Sequence, residues 1–211
     1  MSEWAQDLVD VAAVQAGERV LDVACGTGVV ARQAAVITGT TGQVVGLDVN
    51  TGMLDMARTM CLSPEAVITW EEADAGSLPF PKACFDVVLC QQGLQYFFDR
   101  KGALREMMRV LTPGGRLALS VWRPLERLPL FVALVDALEH HLGADVAAPL
   151  HAAFTISDAD ELRSLITDPF AKNSNRGRDA FRGGSGRTSL GESVLTLTSV
   201  NTDTIQALAI L

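Results

Sequence analysis

Val20-Leu21-Asp22-Val23-Ala24-Cys25-Gly26-Thr27-Gly28 is the stretch on which the fold turns. An apolar, β-branched run that stops at small residues and glycines reads as a buried strand ending in a sharp turn. The strand covers 19–24, and Val29, Val30, Gln33, Ala34 and Ile37 then repeat at helical spacing. Strand, glycine turn and helix follow one another without a spacer.

The alternation continues on both sides. Upstream, Trp4, Leu8, Val11 and Ala12 share a helical face that closes before Gly17. Downstream, a turn at 39–42 leads to a strand at 43–48, a helix at 51–60 and a strand at 66–70. A fourth strand, 85–90, holds Val87, Val88 and Leu89 in a row, as expected of a strand buried on both faces. Leu104, Met107, Met108 and Leu111 mark a helix stopped by Thr112-Pro113-Gly114-Gly115, and 116–122 is the fifth strand. Met107 and Met108 read as core fillers. Strands alternating with helices imply an α/β fold: a Rossmann-like, doubly wound, mostly parallel sheet with helices on both faces. Ligands of such sheets sit at the carboxyl ends of the strands, where Gly26, Asp48 and Gln91 fall.

Composition narrows the function. Apolar residues make up 48% and charged residues 20% of 211, and the net charge is −8. An acidic chain of this kind is not expected to bind nucleic acid or an anionic membrane over its whole surface. No apolar run is long enough to span a bilayer, and the start lacks a secretory signal. Cys25, Cys61, Cys84 and Cys90 show no metal-ligand spacing, so no metal is expected and a cytoplasmic location is.

Gly26-Thr27-Gly28-Val29-Val30-Ala31 fits the loose GxGxxG/A pattern, with Asp48 about 20 residues on, which admits a nicotinamide dinucleotide. Asp22 argues against it. A carboxylate at the end of the first strand repels a pyrophosphate but attracts an ammonium. S-adenosylmethionine carries an ammonium and a sulfonium and no phosphate, and the glycines would then serve close backbone approach. Plainer readings stand beside these: Asp22 as a cap of the next helix, Asp48 as an N-cap, Asp74 as a loop acid, Cys25 as a small loop residue.

The stretch 20–28 resembles the first motif of class I S-adenosylmethionine-dependent methyltransferases, particularly the branch of ubiquinone/menaquinone-biosynthesis C-methyltransferases. The first glycine of the family pattern is Ala24 here. The resemblance runs from about residue 19 to 170 and marks 1–170 as the methyltransferase domain, with 123–156 as a substrate-cover insertion. It implies that Asp22, Ala24, Cys25, Gly26, Thr27 and Gly28 bind the cofactor. It places Asp48 on the ribose hydroxyls, Met53 on the adenine face, Asp74 and Ala75 on the adenine edge, and Val49 among the cofactor-binding residues. Gln91 lies toward the methionine moiety; Gln92, Gln95 and Tyr96 are candidates for the pocket of a small-molecule acceptor. Methyl transfer needs alignment more than a nucleophile, so no catalytic residue is assigned. His140, His141 and His151 read as helix-end residues. The competing functions are a nicotinamide-dependent oxidoreductase and a cofactor-binding protein of methyltransferase type without turnover.

The resemblance weakens at both ends. Relatives carry a further segment before the first helix, so part of a lid is expected to be absent. Ser157 with Asp160 reads as a capping box opening a helix with Leu162, Leu165 and Ile166. The family then supplies a two-stranded hairpin, but Lys172-Asn173-Ser174-Asn175-Arg176-Gly177-Arg178 and Gly183-Gly184-Ser185-Gly186-Arg187 show no strand alternation before about Val194. The hairpin is therefore expected to be missing or altered, and 171–211 to be an atypical, flexible tail. A nucleic-acid-binding Arg/Gly segment lacks its aromatics here. A shifted reading frame over 172–179 is a third reading.

Overall fold

A computed structural model describes residues 3–60, 68–156 and 159–167, and the backbone of 187–190, 193–198 and 204–210. In chain order, α1 (Glu3–Val11) precedes β1 (Arg19–Val23) and α2 (Val29–Thr38), and β2 (Gln43–Asp48) precedes α3 (Thr51–Thr59). β3 (Ile68–Glu72), β4 (Phe85–Gln91), α4 (Arg100–Val110) and β5 (Leu111–Trp122) complete the parallel layer. α5 (Pro129–Leu142), α6 (Ala144–Ala152) and α7 (Ala159–Thr167) follow, then β6 (Arg187–Leu190), β7 (Ser193–Thr198) and β8 (Thr204–Ile210).

The sheet order is β3-β2-β1-β4-β5-β8-β7-β6. The first five are mutually parallel, and the last three are antiparallel. β1 has β2 on one side and β4 on the other, so the chain reverses its winding at the β1–β4 boundary. That switch point opens a crevice above the carboxyl ends of β1, β2 and β4.

The strands are apolar on both sides because both faces are covered. Along β4, Val87 and Leu89 join Val20, Val44 and the α1 and α2 residues Leu8, Val9, Ala31 and Ala34. Val88 and Cys90 join Leu21, Leu119, Leu104 and Met107 of α4, and Leu162 and Ile166 of α7. Met107 is fully buried and Met108 packs against the same cluster, as core fillers should. Each fully buried leucine contributes on the order of 2 kcal/mol. The amino-end edge of the sheet is stitched by charge. Arg19 meets Asp86 at 2.7 Å, and Arg116 meets Glu18 at 2.6 Å while its Nε donates to the Ala12 carbonyl.

Three expectations change. β3 runs on to Glu72, because Glu71 and Glu72 still pair with Leu47 and Asp48; the expected start at 66 lies outside the described residues. β5 begins at Leu111, opposite Phe85, and residues 112–115 loop out before Arg116 resumes pairing with Val87. The largest correction concerns the tail: β8 pairs antiparallel with β5 from Arg116↔Ile210 to Trp122↔Thr204, and β7 pairs with β8. The hairpin is present because β5 otherwise offers an open row of backbone donors and acceptors. Strand structure begins at Arg187, ahead of Val194. Ser157 of the expected capping box, and residues 168–186, lie outside the described residues.

Past Trp122, α5 and α6 form a hairpin with its own small core. Leu128, Ala153 and Phe154 are buried there against Trp122, Phe131 and Leu150. No described helix is long and apolar enough to cross a membrane.

Candidate functional site

β1 ends at Val23, and the chain then turns sharply into α2. Ala24, Gly26 and Gly28 all take left-handed backbone conformations, at φ +56, +54 and +78. At Gly28 a Cβ would stand 2.2 Å from the Trp70 ring, so only glycine fits. The third glycine of the motif thus makes room for a β3 side chain. Gly28 and Thr27 border neither of the clefts described below.

The amide donors of this turn are taken by acids from strand ends. Gly26 N–H donates to Asp48 Oδ2 at 2.8 Å, and Asn50 N–H to Asp48 Oδ1 at 2.9 Å. Ala31 N–H, in the first turn of α2, donates to Asp22 Oδ2 at 2.9 Å. Asp22 therefore does cap the helix, with one oxygen. It is 1% exposed, and its Oδ1 has no partner among the described residues. Burial pushes its carboxyl up to about 8; the Ala31 N–H opposes that, Asp48 adds to it, and Arg32 opposes it. Burial, with Asp22 and Asp48 adding to it, also raises the Cys25 thiol far above its ordinary range, so this thiol is no nucleophile.

Two adjoining clefts open above the strand ends. The larger, about 860 Å³, is bordered by Asp22, Ala24, Cys25, Gly26, Asp48 and Met53, among others, and also by Gln91, Gln92 and Pro149. The smaller, about 330 Å³, is bordered by Asp74, Ala75, Phe98 and Asp99. Ala24, Asp48, Val49, Tyr96 and Phe97 border both, so they join into one trough. Asp74 Oδ1 accepts from Gly76 N–H at 2.6 Å, and burial raises the Tyr96 hydroxyl above its ordinary value.

Four aspartates and no lysine, arginine or histidine border the trough among the described residues. A pyrophosphate needs the N–H groups that Asp22 and Asp48 already occupy, and would meet those two acids at contact distance. A cationic ligand meets the opposite situation, a buried carboxylate oxygen without a partner.

Residues 21–119 match the methyltransferase-domain family. Across 165 residues, 77% of the chain, it is 38% identical to the ubiquinone/menaquinone biosynthesis C-methyltransferase UbiE of Ectopseudomonas mendocina. The chain is thus similar to methyltransferases in sequence and shares their fold. It spans 62% of that relative's length and about half of several others'. An S-adenosylmethionine-dependent methyltransferase from Aquifex aeolicus shares the fold, with TM-score 0.63 and 17% identity over 98% of this chain and 88% of that one. The [4+2]-cyclase SpnF shares it too, with TM-score 0.56 and 20% identity over 98% of this chain and 80% of that one. The fold by itself therefore does not fix the chemistry.

Against this family's motif, the trough gathers Asp22, Ala24, Cys25, Gly26, Asp48, Val49, Met53, Asp74, Ala75 and Gln91. Gln91 Nε2 donates to the Trp4 carbonyl, which ties α1 to the end of β4. Of the acceptor-pocket candidates, Gln92 and Tyr96 border the trough, but Gln95 does not. It lies in the 3-10 turn Leu94–Tyr96, which places it behind Gln92, 4% exposed. His140 and His141 close α5, and His151 meets Glu139 at 2.9 Å, all away from the trough. Sequence reasoning missed Asn50, Phe98, Asp99 and Pro149. Asn50 accepts from Met53 N–H and Asp99 from Gly102 N–H, so helix-capping signals mark both. Phe98 continues the aromatic run from Tyr96, and nothing local marks Pro149.

Proposed function

We propose that this chain binds S-adenosylmethionine in the trough and transfers its methyl group to a small-molecule acceptor. The observation that carries the reading is the pair Asp22 and Asp48, which occupy the donors a phosphate would need and leave a buried carboxylate oxygen for a cation. When bound, S-adenosylmethionine supplies a methyl on a sulfonium, displaced in line by an electron pair of the acceptor as the C–S pair returns to sulfur.

The chain's residues hold and align. Asp22 Oδ1 faces the ammonium, and the Gly26 backbone allows close approach. Asp48 keeps lone pairs beyond those given to Gly26 and Asn50, and these take the ribose hydroxyls. Val49 and Met53 pack on the adenine face, and Asp74 with Ala75 reads its edge. Gln91, Gln92 and Tyr96 border the acceptor side, and 123–156 covers it, with Pro149 reaching the larger cleft. Alignment and exclusion of water, rather than covalent catalysis, are what this arrangement offers.

The relative's name, a C-methyltransferase, supports carbon as the acceptor atom. The net charge of −8 supports a small molecule over nucleic acid, and the free thiols Cys25, Cys84 and Cys90 support a cytoplasmic location. Calorimetry with S-adenosylmethionine, S-adenosylhomocysteine and NAD tests the reading. Binding of both adenosyl ligands and not of NAD is expected; binding of NAD alone overturns it. Transfer of labelled methyl into a metabolite extract then separates an enzyme from a cofactor-binding protein.

A further inference from the structure

Gln92 stands just past the end of β4 with its backbone left-handed, at φ +55. Glycine or asparagine holds that conformation at lower cost, so something else retains a glutamine here. Its N–H donates to the Ser120 carbonyl of β5 at 2.9 Å, which pins the residue between two strand ends at the larger cleft.

Behind it, Gln95 Nε2 donates to Gln92 Oε1 at 3.2 Å. Gln95 is itself held. Its carbonyl accepts from Arg100 Nη2 at 3.1 Å and from Thr155 Oγ1 at 3.3 Å, and Arg100 Nη2 also donates to Thr155 Oγ1. The start of α4 and the residue closing the α5–α6 hairpin thus fix the turn that carries Gln95. The amide orientation follows from counting groups. As placed, Gln95 leaves one buried carbonyl oxygen unpaired; turned over, it would leave its two N–H donors unpaired instead. Unpaired buried donors are the rarer case.

We propose that Gln92 reads the acceptor and that Gln95 is the positioning residue that fixes how it reads. With Gln92 Oε1 engaged, its NH2 is the group offered to the cleft. The acceptor then carries a carbonyl or hydroxyl oxygen that accepts the Gln92 hydrogen bond. The proposal deepens the methyl-transfer reading and rests on it. No lysine, arginine or histidine borders the cleft among the described residues to serve such an oxygen instead.

The test uses the full chain saturated with S-adenosylhomocysteine and two probes of nearly equal shape, acetophenone and 2-phenylpropene. Only the first carries the oxygen. Ligand-observed NMR titration should give roughly fivefold tighter binding of acetophenone to the unaltered chain. Gln92→Gly, which also relieves the left-handed backbone, should bring the ratio to about one. Gln95→Leu frees the Gln92 amide to rotate and should cut the ratio below about twofold. Gln95→Glu, titrated at a pH high enough to ionise the buried carboxyl, offers only acceptors, turns Gln92 around and should abolish the preference. Should Gln95→Leu fail to fold, the Gln95→Glu and Gln92→Gly ratios still decide.

A purely structural Gln95 would move the melting temperature and leave the probe ratio alone. An unaltered ratio in folded Gln95→Glu, or no preference in the starting chain, overturns the proposal. S-adenosylhomocysteine titration separates the two levels. If it fails to bind the unaltered chain, the methyl-transfer reading falls and this proposal with it. If it binds while the probes are not distinguished, only the Gln92 assignment falls.

Discussion

The two edges of one sheet use the same residue types to opposite ends. At the amino-end edge each acid finds a cation from a neighbouring segment: Asp86 has Arg19, backed by Thr112, and Glu18 has Arg116. At the carboxyl-end edge, among the described residues, Asp22 and Asp48 find only backbone N–H groups, and Asp99 has Arg105 at 3.7 Å. The Arg19 hydrogen bond holds the Asp86 carboxyl below its ordinary range, whereas burial lifts Asp22 to about 8. Pairing charges inside the chain spends them on stability. Leaving one buried and unpaired costs stability and creates a demand that an outside cation can meet.

Removing that demand should give the largest effect. Asp22→Asn keeps an acceptor for the Ala31 N–H but removes the carboxyl that ionises to meet an ammonium, and about 100-fold weaker binding of S-adenosylhomocysteine is expected by calorimetry at pH 8.5, where the unaltered carboxyl is ionised. The ligand-free variant should at the same time be as stable as the unaltered chain or more so. Unchanged affinity would mean that Asp22 is a helix cap and nothing more.

The two edges should also respond to pH with opposite signs. Asp22 keeps its proton in the folded chain up to about 8, against an ordinary 3.8 when unfolded. Between those values the folded state binds the extra proton, so the Asp22 contribution declines as pH rises through the window. Asp86 is held low, so its contribution is present at neutral pH and is lost as pH falls through its folded value. Thermal melts of the ligand-free chain should show Asp22→Asn gaining more over the unaltered chain at pH 8.5 than at pH 5. Arg19→Ala, at a half-exposed pair, should cost about 1 kcal/mol near pH 7 and progressively less as the pH falls through the Asp86 titration, without touching cofactor affinity.

How much of this was legible depended on range. Continuous apolar strands, the glycine turn and the acids at strand ends are local patterns, and they yielded the parallel sheet and most of the trough. The role of Gly28 was not legible, because its reason is the Trp70 ring, brought beside it only by sheet order. The place of Gln95 was not legible for a nearer reason: a 3-10 turn follows Gln92 and sets Gln95 behind it, off the trough lining. The tail misled because β6 spans only Arg187–Leu190, too short for alternation to register, and β8 is recruited by β5.

The smallest effect sits in the turn itself, at Ala24. Its backbone is left-handed, which costs an alanine about 1 kcal/mol. Its methyl is accommodated by a distant residue. A Cβ on Gly93 would lie 2.7 Å from Ala24 Cβ and 2.9 Å from Cys90 Sγ, although Gly93 has an ordinary φ of −100 that any residue adopts. Gly93 is thus a glycine for space, and Ala24 is one of the two reasons. Ala24→Gly should therefore stabilise the chain by only a few tenths of a kcal/mol, since the added freedom of the unfolded chain offsets most of the relief. Gly93→Ala should cost about 1–3 kcal/mol by overpacking. Combined with Ala24→Gly it should cost less, with a coupling of about 0.5 kcal/mol or more in a denaturant double-mutant cycle. Strict additivity would show that Cys90 alone sets the space at Gly93, and that the alanine in the cofactor turn is tolerated without compensation from the acceptor side.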